Sequence, residues 1–134
     1  MRAMPNPTFE FRVHDERLAI ARLAPHDDIP AWARGGFVAI TRTSAELSIV
    51  CAQEHVPSHV KHDRDKIALG IVGVIPMTTV GLLAALCKTL AEKHVPVFVI
   101  STYDTDWLLV SADRFDTARS ALVAAGHRVT GAAL

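Results

Sequence analysis

Hydrophobic patterning is most regular between residues 66 and 130. Ile67, Leu69 and Ile71 alternate with smaller or polar residues, as one face of a strand does. Val80, Leu83, Ala84, Cys87, Leu90, Ala91 and His94 then recur at steps of three and four. This stripe predicts a helix lying on a sheet, with Thr78 placed to cap it and Pro96 to stop it. Residues 97–101 are almost continuously apolar, which predicts a central strand buried on both faces. Asp104 and Thr105 supply a turn, and residues 107–110 return as a strand. Phe115, Ala118, Leu122 and Ala125 mark a second helix, capped by Asp113 and closed by Gly126. Residues 127–130 end the pattern as a short strand. The order is βαββαβ, that of a ferredoxin-like unit.

The first half is built from shorter pieces. Residues 1–8 read as a loose lead-in. Residues 9–13 and 18–23 alternate around the polar turn His14-Asp15-Glu16, which predicts a hairpin. A loop bounded by proline and aspartate follows. Residues 31–34 give one helical turn, stopped by Gly35-Gly36. Residues 37–41 and 46–51 read as strands around Thr43-Ser44-Ala45, and residues 53–56 as a short helix ended by Pro57. The polar run SHVKHDRD, residues 58–65, reads as a boundary between halves.

Residues 40–52 also line up without a gap on residues 100–112: apolar strand, polar turn, acidic residue, apolar strand. This suggests two copies of one unit, whose small sheets bury their edges against each other. The expected units are residues 1–64, with a shortened first helix, and residues 65–134.

Composition narrows the function classes. The 134 residues are half apolar and carry no formal net charge, so a real core is expected and a nucleic-acid footprint is not. No apolar run approaches the roughly 20 residues that span a bilayer, and residues 1–11 contain no hydrophobic signal core, which points to a cytoplasmic protein off the membrane. Cys51 and Cys87 read as buried free thiols. His55, His59 and His62, with Cys51, Asp63 and Asp65 around them, have metal-like spacing. Pro57 breaks any helix that would align them, so the reading is a solvated linker without metal. His14, His26 and His127 are isolated and are expected at the surface. No sequence motif for a nucleophile with its base, a phosphate loop or a dinucleotide site is present, and no cofactor is implied.

Two polar segments interrupt the apolar structure: Pro76-Met77-Thr78-Thr79 and Ser101-Thr102-Tyr103-Asp104-Thr105-Asp106. The first opens a helix whose free amides attract anions, or simply caps it. In the second, hydroxyls and a carboxylate could hold the charged groups of an amino acid, or simply turn a hairpin. Asp104 and Asp106 are two apart on a strand, which turns them to opposite faces and weakens them as a catalytic pair.

These segments carry a resemblance. Residues 81–92 (GLLAALCKTLAE), followed by Val97-Phe98-Val99-Ile100-Ser101, resemble an ACT domain of the aspartokinase-associated type. Residues 101–110 (STYDTDWLLV) look closer still to a bacterial group of stand-alone tandem ACT proteins, as do residues 40–43 and 46–51. Arginine-sensing ACT proteins of animals are similar over the same region. The resemblance implies an α+β protein of two ferredoxin-like ACT units. It implies a regulatory or sensor protein that binds a small molecule, an amino acid, at an interface between ACT units and has no catalysis of its own. The alternative is a protein–protein interaction module without a small ligand. Carried over by position, the ligand contacts are Pro76, Met77, Thr78, Thr79, Val80 and Gly81, with Ile100, Ser101, Thr102, Tyr103 and Asp104. The implied partners are the ligand, a regulated enzyme in trans and a second ACT unit, as a homodimer or within the chain. Where many amino-acid-binding relatives have a glycine-rich loop, this chain has Val74-Ile75-Pro76-Met77. Val95-Pro96 replaces the glycine turn after the helix.

Overall fold

The computed structural model describes residues 7–131, so most of the lead-in lies outside the described residues. Strand β1 is Glu10–Val13, β2 Leu18–Leu23, β3 Ala39–Arg42, β4 Leu47–Ala52 and β5 Lys61–Ile71. Helix α1, Leu82–Ala91, leads to β6 (Phe98–Ser101) and β7 (Asp106–Ser111). Helix α2, Phe115–Ala124, leads to β8 (Arg128–Thr130). Short 3-10 turns, Gln53–His55 and Ala112–Arg114, follow β4 and β7.

The organising element is β5, eleven residues long. Its first half pairs with β2, with Leu18 opposite Lys66 and Arg22 opposite Lys61. Its second half pairs on the same edge with β1, with Phe11 opposite Ile71 and Val13 opposite Leu69. The other edge takes β7, with Ile67 opposite Val110. The expected β1–β2 hairpin is therefore wrong. Both strands run antiparallel to β5, end to end, and residues 14–17 step from one to the other. The expected pair of small sheets is also replaced by one eight-stranded sheet. Residues 61–65, read as linker, belong to β5, which runs through the expected boundary at 64/65. A β-bulge at Arg64 and Asp65 accommodates the change of partner. Asp65 adopts a left-handed φ of 61° there. Its amide donates to Gln53 Oε1 (2.7 Å), and its carboxylate accepts from Gln53 Nε2 (3.2 Å) and Arg17 Nη1 (3.3 Å).

Two ferredoxin-like units share this strand. In the C-terminal unit the strand order is β6-β7-β5-β1-β8, with β1 inserted antiparallel to β5 and parallel to β8. In the N-terminal unit the order is β3-β4-β2-β5. Its first helix is reduced to a turn, where the Ala33 amide bonds the Pro30 carbonyl (3.1 Å). Trp32 and Ala33 cover the core of Ala19, Ala21, Leu47, Ile49 and Cys51 that a helix would otherwise cover.

In the C-terminal unit, α1 and α2 pack on Phe11, Ile67, Leu69, Leu108 and Val110. Of the predicted stripe Leu90 is fully buried; the other buried positions of α1 are Leu82 and Leu86, one residue before the predicted Leu83 and Cys87, and Val80 is exposed. A helix reading LLAALCKTLA is apolar enough to bury either face, and the sheet selects one. Its cap is Gly81 at φ 83°, not Thr78, because a turn closed by the Thr79 amide on the Pro76 carbonyl delays the helix. Asp113 likewise does not cap α2: it sits in the preceding 3-10 turn. Strand β6 pairs only with β7 and is a half-exposed edge, not a central strand.

The halves meet on the opposite sheet face, where Leu18 and Val50 pack with Ala68 and Leu109, flanked by Phe37 and Trp107. Trp107 packs edge-on to Phe37, ring centroids 5.0 Å apart, and to His14. The repeat is visible here with an offset of 59, not 60. Both hairpins have four-residue loops in which a threonine amide (Thr43, Thr102) bonds the carbonyl three residues on. At that offset Ile49 and Cys51 match Leu108 and Val110, all facing the outer cores, and Val50 matches Leu109 at the joint. A one-residue slip would exchange the faces.

Of the histidines expected at the surface, His127 is buried and His14 half-buried. His14 Nε2 lies 3.2 Å from Glu16 Oε1, which accepts the Gly36 amide at 2.7 Å. That amide, more than any other partner, lowers the Glu16 pKa. His127 Nδ1 accepts the Phe9 amide (3.0 Å), and burial lowers its pKa. Both shifts make folding favour the deprotonated form. The His127 contribution is full above its unfolded value of roughly 6.5 and is lost as pH falls through the lowered folded value. The Glu16 contribution is full above roughly 4.3 and is lost in the same way at lower pH. Urea midpoints should therefore fall in two stages on acidification. His127→Gln should remove the upper stage; a pH profile unchanged by that substitution would contradict this account.

Candidate functional site

Two segments far apart in sequence are tied together at the end of β5. The Ile75 amide donates to the Asp104 carbonyl (2.6 Å), and Thr105 Oγ1 donates to the Ile71 carbonyl (2.9 Å). The exit loop from β5 is thereby held against the β6–β7 turn. Between them, and against the start of α1, lies a cleft of about 380 Å³.

Seven of the expected site residues line it: Pro76, Met77, Thr79, Gly81, Ser101, Thr102 and Tyr103. The other four do not. Val80 lines a neighbouring pocket, Ile100 lines a groove beside β3, and Thr78 and Asp104 lie off the lining. Asp104 contributes through its backbone. The structure adds Ile75, Leu82, Leu83, Ala84, Thr105 and Asp106 to the wall. Asp106 could have been found from the hairpin itself, because a four-residue loop sets it opposite Ser101. Asp104 sits in the turn and not on the strand, so alternation between the two aspartates does not apply.

The polar groups divide into two sets. The Thr102 hydroxyl belongs to the turn: it donates to the Thr105 carbonyl (3.0 Å) and accepts the Thr105 amide (3.2 Å). Ser101 Oγ donates to Asp106 Oδ1 at 2.6 Å, the short distance of a bond to a carboxylate. That leaves the second carboxylate oxygen for other donors. Facing this wall is the start of α1, where no side chain caps the helix. The first amides of an α-helix have no acceptor within it, and together they carry a partial positive charge. The cleft thus sets an uncapped helix N-terminus against a carboxylate. Its lining contains no histidine, cysteine or lysine.

Two lining residues, Tyr103 and Met77, are 81% and 73% exposed, and Val80 and Val74, close to them in the chain, are 94% and 71% exposed. No residue of β1 to β4 lines the cleft.

The histidine-rich segment is dispersed: His55 Nδ1 pairs with the Arg34 carbonyl and His62 Nδ1 with that of Val60. Among the described residues no three metal-ligating side chains cluster. Cys51 is buried and Cys87 half-buried, and neither forms a disulfide. No described helix is long and apolar enough to cross a membrane.

A model of the ACT domain matches residues 61–124, and a model of an N-terminal domain matches residues 16–59. The crystal structure of a protein from Agobacterium tumefaciens is 34% identical, covers 93% of this chain and 94% of its own, and superposes with a TM-score of 0.88. The chain is a tandem ACT-domain protein. The ACT fold also relates it to the regulatory subunit of aspartate kinase from Thermus thermophilus, at 18% identity and a TM-score of 0.59, over 84% of this chain and 95% of that one. Aspartate kinase from Clostridium acetobutylicum matches at 13% identity and a TM-score of 0.63, over 92% of the ACT chain and 36% of the enzyme. No curated protein matches.

Proposed function

We propose that this ACT protein is a regulatory sensor that binds a free amino acid in the cleft between α1 and the β6–β7 turn. The observation that carries the reading is the opposition of the uncapped α1 N-terminus and the Asp106 carboxylate across one cleft. An α-amino acid is a zwitterion and needs both. Its carboxylate takes the amides of Leu82, Leu83 and Ala84, and its ammonium takes Asp106 and the turn. Met77, Leu83 and Tyr103 are left for the side chain.

An open cleft with an exposed apolar rim favours closure by a second ACT unit from another copy, since no residue of the N-terminal unit reaches it. Binding would then regulate an enzyme in trans in the cytoplasm. The same rim favours a second reading, a docking face for a partner protein without a metabolite.

Thermal unfolding with each of the twenty amino acids separates the two. Saturation at a hundred times the dissociation constant adds about 2.7 kcal/mol of stability. One amino acid, or a small related set, should stabilise the protein. No stabilisation by any of them at millimolar concentration, with stoichiometric recovery of a partner protein in their absence, would favour the docking reading.

A further inference from the structure

On the far side of residues 79–82 lies a second cavity, of about 180 Å³, outside the cleft. Its walls are mostly apolar and include Phe9, Leu82, Ala85 and Leu86. Its one titratable lining residue is His127, which is 8% exposed. Nδ1 of that ring accepts the Phe9 amide, so in the neutral ring the proton is on Nε2. Burial keeps the ring neutral by lowering its pKa.

Nε2 has no partner among the described residues. It nevertheless is not sealed: every fully buried side-chain nitrogen or oxygen among them has a partner. The ring therefore keeps an unpartnered N–H that is not sealed in the core, and the ring lines this cavity. The uncapped N-terminus of α1, through Gly81 and Leu82, borders the same cavity. His127 thus offers a hydrogen-bond donor beside the partial positive charge of the helix end, and no acidic lining residue opposes them. The rest is apolar surface.

We infer that this cavity is a second small-molecule site, separate from the amino-acid cleft, for a short-chain monocarboxylate with a compact apolar tail. The carboxylate accepts from His127 Nε2 beside the positive end of α1, whose amides are left to the cleft, and the tail packs on Phe9, Ala85 and Leu86. The volume equals roughly six water molecules, which suits a branched tail of a few carbons and excludes a fatty acid. A zwitterion is disfavoured, because its ammonium would meet no acceptor side chain of charge.

The probe is isovalerate, with isopentylamine as the cation of similar shape. The readout is the ring-proton resonances of His127 in the full chain. Isovalerate should shift them saturably and the amine should not. Ala125→Leu fills the exposed mouth without touching the cleft, and it should weaken isovalerate by about tenfold or more while leaving the thermal response to amino acids intact. A shift that does not saturate, an equal response to the amine, or an unchanged affinity in the Ala125→Leu protein would each overturn the inference.

Discussion

Asp106→Asn should weaken the amino-acid ligand by roughly thirtyfold, about 2 kcal/mol, while leaving the fold in place. The substitution keeps the shape, and it keeps an oxygen that can accept from Ser101 Oγ. It removes the negative charge that opposes the α1 N-terminus. Titration calorimetry on the two proteins reads the ratio directly. The loss should shrink for the ligand's deaminated analogue, a carboxylate with no ammonium, because that analogue does not use the charge. Equal loss for both compounds would mean that Asp106 shapes the turn and does not meet the ligand. Ser101→Ala offers a milder comparison, since it removes a neutral hydroxyl that already has a partner.

Gly70→Ala should destabilise the whole protein. The residue lies opposite Trp107 in the β5–β7 ladder. A Cβ on it would sit 2.5 Å from Trp107 Cζ3 and 2.7 Å from two more ring carbons. The indole cannot swing freely, because Phe37 and His14 hold it from the other half of the chain. Overpacking of this kind costs about 1–3 kcal/mol, so the melting temperature should fall by roughly 5–10 °C. Gly73→Ala is the control. Nothing lies within 4 Å of its Cβ position, so only the penalty for its φ of 96° remains. Trp107→Leu in the Gly70→Ala background should recover part of the loss, the non-additive signature of two groups in contact. Additive losses would place the cost of the alanine somewhere other than the indole.

These two residues also show why the sequence was legible in some places and not in others. The C-terminal unit was readable because its strands and helices are long enough for periodicity to register, and the βαββαβ order followed. The joint was not. Residues 61–65 of β5 are mostly exposed, so the first half of the strand that carries the whole sheet looked like a polar linker. With that half hidden, the segment at 18–23 had no visible partner except its neighbour in sequence, and a hairpin was the natural reading. Strand β6 misled in the opposite way. Its apolar residues suggest a buried strand, yet it is an edge, and Phe98 remains 40% exposed.

The cleft was half legible. Polar residues in apolar surroundings marked both of its walls. The bonds that bring the walls together, from Ile75 to Asp104 and from Thr105 to Ile71, involve backbone groups and leave no signature in composition. The slip of the repeat from 60 to 59 has a similar origin. Both hairpins contain runs of apolar residues, so either offset aligns apolar with apolar. Only the threonine turn, with its fixed hydrogen bonds, selects the correct one.

The most direct test of the proposed site is a backbone-amide chemical-shift titration with the amino acid that stabilises the protein most. Saturable shifts concentrated in Leu82, Leu83 and Ala84 and in Ser101 to Asp106, abolished together by Asp106→Asn, are the predicted result. Saturable binding that moves neither segment would place the ligand elsewhere and contradict the account.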